Sequence, residues 1–247
     1  MSELRRSPYI HAYLEPSPLE YSEGCYHFRN LLQSLSDIGP DLQGWQVHNS
    51  MESGPDGTGI DAIENMDAAI AFYSGQGLNN PDGRSAMVMT VDVWREHYGA
   101  KEASYTWNRS RGSDEFSLKL DYPSLHPPAT LDRFISIAEL VIRWQNVRYL
   151  WCGDRQYWSK QHQLYAPERL PAGWFCWVPQ QVKPEVIPSA WQTGSFLEGT
   201  LIVTQPDYFN INDNAPAIHR ANAVEYEMNE AGILPLLNDL VGVGLPE

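Results

Sequence analysis

Lysine and arginine are missing from residues 30–83, although that stretch carries eight acidic side chains. Residues 205–247 are almost as poor in bases, with seven acids against the single base Arg220. These two stretches, the first and second acidic segments, have net charges of −8 and −6, which together equal the formal charge of −14. The negative charge is therefore local. A local field can steer a basic partner, whereas solvated surface is the plainer interpretation of both segments.

Other features are scarce as well. No apolar run reaches the roughly 18 residues of a membrane-spanning helix, and the N-terminus lacks the apolar core of a secretory signal, so we expect a cytoplasmic protein. The cysteines, Cys25, Cys152 and Cys176, are odd in number and lie in apolar contexts, which favours buried free thiols over disulfides. Without clusters of lysine and arginine, direct binding to nucleic acid or to anionic membrane is not expected.

Motifs of known chemistry are also absent. The seven histidines form no His-Glu-x-x-His pattern, and the spacing of Cys152, His162 and Cys176 matches no closed zinc site. The stretch from Asp56 to Glu64 lacks the ligand pattern of a calcium loop. We therefore predict no catalytic residue, no metal and no cofactor. Paired carboxylates distant in the chain leave no local motif, so a carboxylate-dependent small-molecule or carbohydrate enzyme remains the alternative.

The clearest structural pattern lies between residues 86 and 122, where apolar and polar residues alternate in three runs joined by short turns. It predicts an antiparallel meander with one face on a core. Apolar stripes predict helices over 21–36, from 131 and over about 215–231, with a shorter helix within 60–72. Further strands are expected at 8–14, 173–178 and 196–204. The prediction is an α+β fold of antiparallel β-meander sheets packed with three main α-helices, with two similar halves as one option.

We expect a single domain over 1–247, and the His-Pro-Pro link at 126–129 is the candidate place for a subdivision. Several motifs occur in an order that resembles the immunity 52 family of bacterial polymorphic-toxin and type VI secretion systems. These motifs are the helix ending Ile38–Leu42 with Trp45 behind it, the strand Met89–Trp94, Gly173–Trp177, Gly199–Thr204 and the helix end Asn229–Leu234. The resemblance spans about Tyr9 to Leu234.

This resemblance implies a non-catalytic immunity protein that binds and neutralises a cognate secreted toxin, often a DNase. An acidic protein can pair with the basic surface that a nuclease uses to hold DNA, either by plugging its cleft or by binding elsewhere. A plain scaffold without a toxin is a further alternative. The predicted contact residues are the acids Glu52, Asp56, Asp61, Glu64 and Asp67 in the first segment and Asp213, Glu225, Glu227 and Glu230 in the second. Trp45, Trp158 and Trp191 are candidate aromatic anchors, with core packing as the alternative for each.

Overall fold

The computed structural model describes residues 8–47, 59–75, 87–95, 99–107, 113–120, 130–159, 168–209 and 215–241. The strands of these ranges are β1 Pro8–Leu14, β2 Gln46–Val47, β3 Ile60–Asp61, β4 Met87–Arg95, β5 Gly99–Trp107, β6 Asp114–Leu120, β7 Val147–Asp154, β8 Phe175–Val178, β9 Gln192–Phe196 and β10 Gly199–Val203. The helices are α1 Tyr21–Ser36, α2 Met66–Gly75, α3 Leu131–Trp144, α4 Arg155–Ser159, α5 Ala215–Glu230 and α6 Leu237–Val241. Short 3-10 turns lie at Pro40–Leu42 and Pro184–Val186.

All ten strands join one antiparallel sheet, in the order β3-β2-β4-β5-β6-β1-β7-β8-β10-β9. The central strand β1 pairs with β6 on one side and with β7 on the other. The predicted α+β class is confirmed, and the separate sheets expected from the sequence are joined into one. Residues 126–129 lie outside the described part, but the sheet connects the chain before and after them.

The meander is confirmed in detail. Strand β5 pairs with both β4 and β6, and the register places Tyr105 opposite Met89 on one side and Phe116 on the other. These three side chains are buried, whereas Glu102 and Ser104 on the same strand are at least partly accessible. One face of the meander therefore packs on the core, as strict alternation requires.

Alternating side chains of the central strands divide the interior into two cores. Ile10 and Leu150 belong to a larger core that also holds the apolar stripes of α1 and α3. Tyr13 and Trp151 point the other way and belong to a second core with Val224 of α5. Because both faces of this part of the sheet are covered, β7 is buried along almost its whole length.

Several parts of the chain differ from the sequence-based expectation. The shorter helix expected within 60–72 runs from Met66 to Gly75, because residues 60–61 form β3. The predicted strand over 196–204 is instead a hairpin, because the chain turns at Leu197 and Glu198 between β9 and β10. The strand β7, although central, was not predicted, since its continuous burial removes the alternation that reveals a strand. No helix in the described ranges has the length and apolar character needed to cross a bilayer.

Candidate partner-binding surface

The first acidic segment enters α2 through a turn that Asp61 holds together. Its Oδ1 accepts hydrogen bonds from the backbone N–H groups of Ile63 and Glu64, both at 2.8 Å. Both residues lie in the turn before α2, and an aspartate side chain that binds the N–H groups two and three residues later stabilises such a turn. Asp61 is half-buried, whereas Glu64 is exposed. Asp61 therefore shapes the turn, and Glu64 is the side chain that the turn presents to solvent.

Tyr26 of α1 lies beside the start of α2. Its hydroxyl donates a hydrogen bond to Oδ1 of Asp67, and its side chain is 37% exposed. This hydrogen bond raises the pKa of Tyr26, while the charge of Arg29 acts in the opposite direction. Arg29 is thus the base that accompanies these acids. Tyr26 was not predicted as a contact residue, although it lies outside the apolar stripe of α1 and was therefore bound to face outward.

Four side chains form what we call the acidic surface: Glu23, Tyr26, Glu64 and Asp67. Glu23 lies three residues before Tyr26 on α1, and Glu64 lies three residues before Asp67, so each pair shares a helical or turn face. Glu23, Glu64 and Asp67 are all exposed, and the described stretch 59–75 holds no lysine or arginine. The surface therefore combines an exposed aromatic ring and a carboxylate on α1 with two carboxylates on α2 and the turn before it.

The second acidic segment is arranged differently, and the prediction for Glu225 is wrong. Glu225 is 1% exposed. Its Oε1 accepts hydrogen bonds from the hydroxyl of Tyr157 at 2.9 Å and from the backbone N–H of Ala172 at 3.0 Å. A buried carboxylate needs such donors to offset the loss of hydration. Glu225 therefore joins α5 to the interior and cannot reach a partner.

The remaining predicted acids have mixed positions. Glu227 is half-buried, and its two oxygens accept hydrogen bonds from the backbone N–H (2.9 Å) and hydroxyl (2.6 Å) of Ser189. Glu230, at the end of α5, is exposed. Glu52, Asp56 and Asp213 lie outside the described residues, so their predicted role stays a prediction. Of the predicted acids that are described in the second segment, Glu225 and Glu227 thus hold α5 in place, and Glu230 faces solvent.

The three candidate tryptophan anchors are separated by their burial. Trp45 is fully buried in the larger core, which excludes it as an anchor in the folded protein. The side chain of Trp158 lies outside the described part. Trp191 is 51% exposed and lies directly before the edge strand β9. Of the two candidate anchors whose side chains are described, Trp45 and Trp191, only Trp191 is accessible to a partner.

A cleft of about 800 Å³ opens where β7 and β8 meet the turn between β9 and β10. Its wall includes Tyr149, Trp177 and two carboxylates, Glu15 and Glu198. Arg148 also lines the cleft, but its guanidinium donates to two backbone carbonyls of α6 at 2.9 and 3.0 Å. Among the described residues, this cleft is the candidate active site for the alternative function, a carboxylate-dependent enzyme. That function stays a prediction.

The cysteines are free and buried, as predicted. Burial raises the pKa of the Cys25 and Cys176 thiols to about 12 and the pKa of Cys152 well above its ordinary value. Thiols with such high pKa values are poor nucleophiles and poor metal ligands at neutral pH. Within the described ranges, no three histidine, cysteine, aspartate or glutamate side chains converge as a metal site.

Comparison with known proteins gives structural likeness only, to a few solved structures. No protein-family model and no curated protein matches the chain. The fold is similar to that of the Pseudomonas aeruginosa T6SS protein PA0821, with 14% sequence identity and a TM-score of 0.49. The likeness covers 90% of this chain and 74% of that chain. A similarity at this level does not establish a shared function, and the resemblance to the immunity 52 family stays a prediction.

Proposed function

We propose that the protein is an immunity protein of a bacterial toxin pair, associated with type VI secretion, that binds a cognate nuclease toxin through the acidic surface. The observation that carries this proposal is the hydrogen bond between the exposed Tyr26 of α1 and the exposed Asp67 of α2. The exposed acids Glu23 and Glu64 lie three residues before them in the chain, in a part of the chain with few bases. The order of sequence motifs that resembles the immunity 52 family supports the same conclusion. The inhibitor acts by binding, without chemistry of its own.

The physical basis is charge complementarity with an aromatic centre. A nuclease must present lysine and arginine to hold DNA phosphates, so its binding face attracts exposed carboxylates. Such attraction raises the association rate and weakens as salt increases. A tyrosine in the middle of the contact supplies apolar area and a hydroxyl, which is why tyrosine is common among residues that dominate binding energy. Tyr26 would slow dissociation, while the carboxylates speed association.

The structure sharpens the choice of residues for a test. Changing Asp61 would disturb the turn that it holds, so a loss of binding would be ambiguous. Glu64 and Asp67 are exposed and can be reversed together while Asp61 is kept. Glu185 and Asp207 are also exposed acids, and they lie in other parts of the chain. Reversing those two changes the net charge by the same amount and provides a matched control.

The experiment is co-expression with the toxin encoded beside this gene, followed by titration of the purified pair in a salt series. We expect rescue of growth and a co-purified complex. The Glu64→Lys/Asp67→Lys variant should weaken binding by about 10-fold or more at low salt and flatten the salt dependence. The Glu185→Lys/Asp207→Lys control should weaken binding by no more than about 3-fold.

Each contrary result has a distinct meaning. If the toxin neither binds nor loses toxicity, the proposal of an immunity protein is wrong. A scaffold or an enzyme is then the better hypothesis. Equal weakening by both double variants would show attraction by net charge, with no contact at the acidic surface. Competition between DNA and the immunity protein for the toxin would then separate plugging of the cleft from inhibition at a distance.

A further inference from the structure

Strand β9 closes one end of the sheet, and its outer edge is unpaired within the described part of the chain. It pairs with β10 on its inner side, with Phe196 opposite Gly199 and Gln192 opposite Val203. At the other end of the sheet, β3 has two residues, whereas β9 has five. The longer of the two free edges is therefore β9. An unpaired edge presents backbone N–H and C=O groups to any strand that can approach it.

The hairpin geometry decides which groups point outward. A two-residue turn at Leu197 and Glu198 makes Phe196 and Gly199 a hydrogen-bonded pair, and the pattern repeats every second residue. Leu197 has a φ of 54°, as this kind of turn requires. The inward-bonded residues are then Phe196, Gly194 and Gln192, so the backbone groups of Thr193 and Ser195 point away from the sheet.

The edge lacks the features that usually prevent pairing. The five residues of β9 include no charged side chain and no proline, in a chain whose formal charge is −14. A side chain at Gly194 would meet nothing within 4 Å, so one face of the sheet is open at the middle of the strand. Trp191, at its beginning, is 51% exposed. Natural edges are commonly protected by lysine, proline or a bulge, none of which occurs in β9.

We infer that β9 pairs with β9 of a second copy of this chain, antiparallel, with a two-fold axis at Gly194. In this register Thr193 of one copy faces Ser195 of the second copy, and both present outward backbone groups. The two symmetric pairs supply four backbone hydrogen bonds. Gly194 meets its own copy at a non-hydrogen-bonded position, where the strands approach most closely and a side chain would be most crowded. Two ten-stranded sheets become one.

Charge favours a second copy over a basic partner at this edge. Two molecules of the same strongly acidic chain repel each other, and a contact through uncharged side chains adds least to that repulsion. The five residues of β9 carry no charge, so a basic toxin would gain no ion pair from the strand itself. The same register brings Trp191 of each copy close to Leu197 of the other, so that two apolar side chains of each copy are covered. The interface is therefore self-complementary, as two-fold symmetry requires.

The dimer and the proposed toxin contact use opposite ends of the sheet. The acidic surface lies next to β3, nine strand intervals from β9, which corresponds to roughly 40 Å at about 4.8 Å for each interval. Pairing through β9 therefore leaves two acidic surfaces free. Salt should also act with opposite signs: it screens repulsion between two acidic copies and strengthens the dimer, whereas it weakens a contact with a basic toxin.

The test is sedimentation of the purified full chain over a concentration series at low and high salt. We expect a reversible dimer that is strengthened by salt. Ser195→Pro removes an outward N–H, which a free edge tolerates, and should raise the dimer dissociation constant at least about 10-fold. Ser195→Ala is the matched control, because it removes the hydroxyl that bonds Gln181 but keeps the N–H, and should leave the constant unchanged.

A chain that stays monomeric at high concentration and high salt would overturn the inference, as would a dimer that Ser195→Pro leaves intact. If that variant does not fold, hydrogen exchange of the unaltered chain gives the answer. The amides of Thr193 and Ser195 should become more protected as concentration rises. Protection that does not change with concentration would exclude β9 as the interface. These outcomes are independent of whether a toxin binds.

Discussion

The two acidic segments have similar charge, but the acids predicted as partner contacts take different structural roles in each. In the first segment, Glu64 and Asp67 are exposed beside Tyr26, and Asp61 shapes the turn that presents them. In the second, Glu225 is buried and Glu227 binds Ser189, so both hold α5 in place. A count of charges does not distinguish a docking surface from internal anchoring. The direction in which each carboxylate points does.

The strongest test of this comparison is removal of the buried carboxylate. Glu225→Ala leaves the Tyr157 hydroxyl and the Ala172 N–H without this acceptor. We expect the free energy of unfolding to fall by about 2–4 kcal/mol, measured by urea denaturation. Glu230→Ala, at an exposed site on the same helix, should change it by less than about 0.5 kcal/mol. Equal effects would mean that Glu225 is not internal in solution.

A second prediction concerns Asp41, an acid of the first segment that is buried. Asp41 is 1% exposed and pairs with Arg133, which is 14% exposed, at 2.6 Å. Asp41→Ala leaves a nearly buried guanidinium without this partner and should cost about 2–3 kcal/mol in unfolding free energy. The value is below that for a fully buried pair because Arg133 reaches water. A double-mutant cycle with Arg133→Met measures the coupling, and no coupling would contradict the pair.

The smallest expected effect distinguishes Asp61, which stabilises the turn before α2, from Glu64, which that turn exposes to solvent. Asp61→Ala removes the acceptor of two backbone N–H groups and should lower the unfolding free energy by about 1 kcal/mol. Asp61→Asn keeps an oxygen acceptor for these N–H groups, so the unfolding free energy should fall by only about a few tenths of a kcal/mol. Glu64→Gln should leave stability unchanged within about 0.5 kcal/mol. If Glu64→Gln were the more destabilising change, the assignment of roles would be reversed.

The sequence predicted those helices and strands that have one buried face and one solvent-exposed face. Helix α1 was predicted with its observed bounds, because its apolar residues recur along one face and a Gly-Pro pair follows it. The meander β4–β6 was predicted because one face is solvated and the other buried. Strand β7 lacked that contrast, and the break between β9 and β10 at Leu197 is a turn built without glycine at its first central position.

For the candidate site, the helical period of α5 already indicated that one predicted contact residue, Glu225, would be buried. Glu225 lies four residues after Ala221 and three before Met228, on the face of α5 that was expected to fill the core. The same reasoning would have found Tyr26, since it falls outside the stripe of α1. What periodicity could not supply is a partner. The donors that make burial of Glu225 tolerable come from α4 and from the chain before β8, which are distant in sequence.

By itself the sequence determined the amount and location of charge, the class of fold and the position of most helices, because these follow from composition and from local periods of 3.6 and 2. Only the tertiary structure decided which acids meet water, that one sheet joins both halves through β1, and that β9 is the last of the described strands at its end of the sheet. Those features depend on contacts between residues far apart in the chain. A local pattern specifies which face of an element is apolar, and the assembled sheet specifies what that face meets.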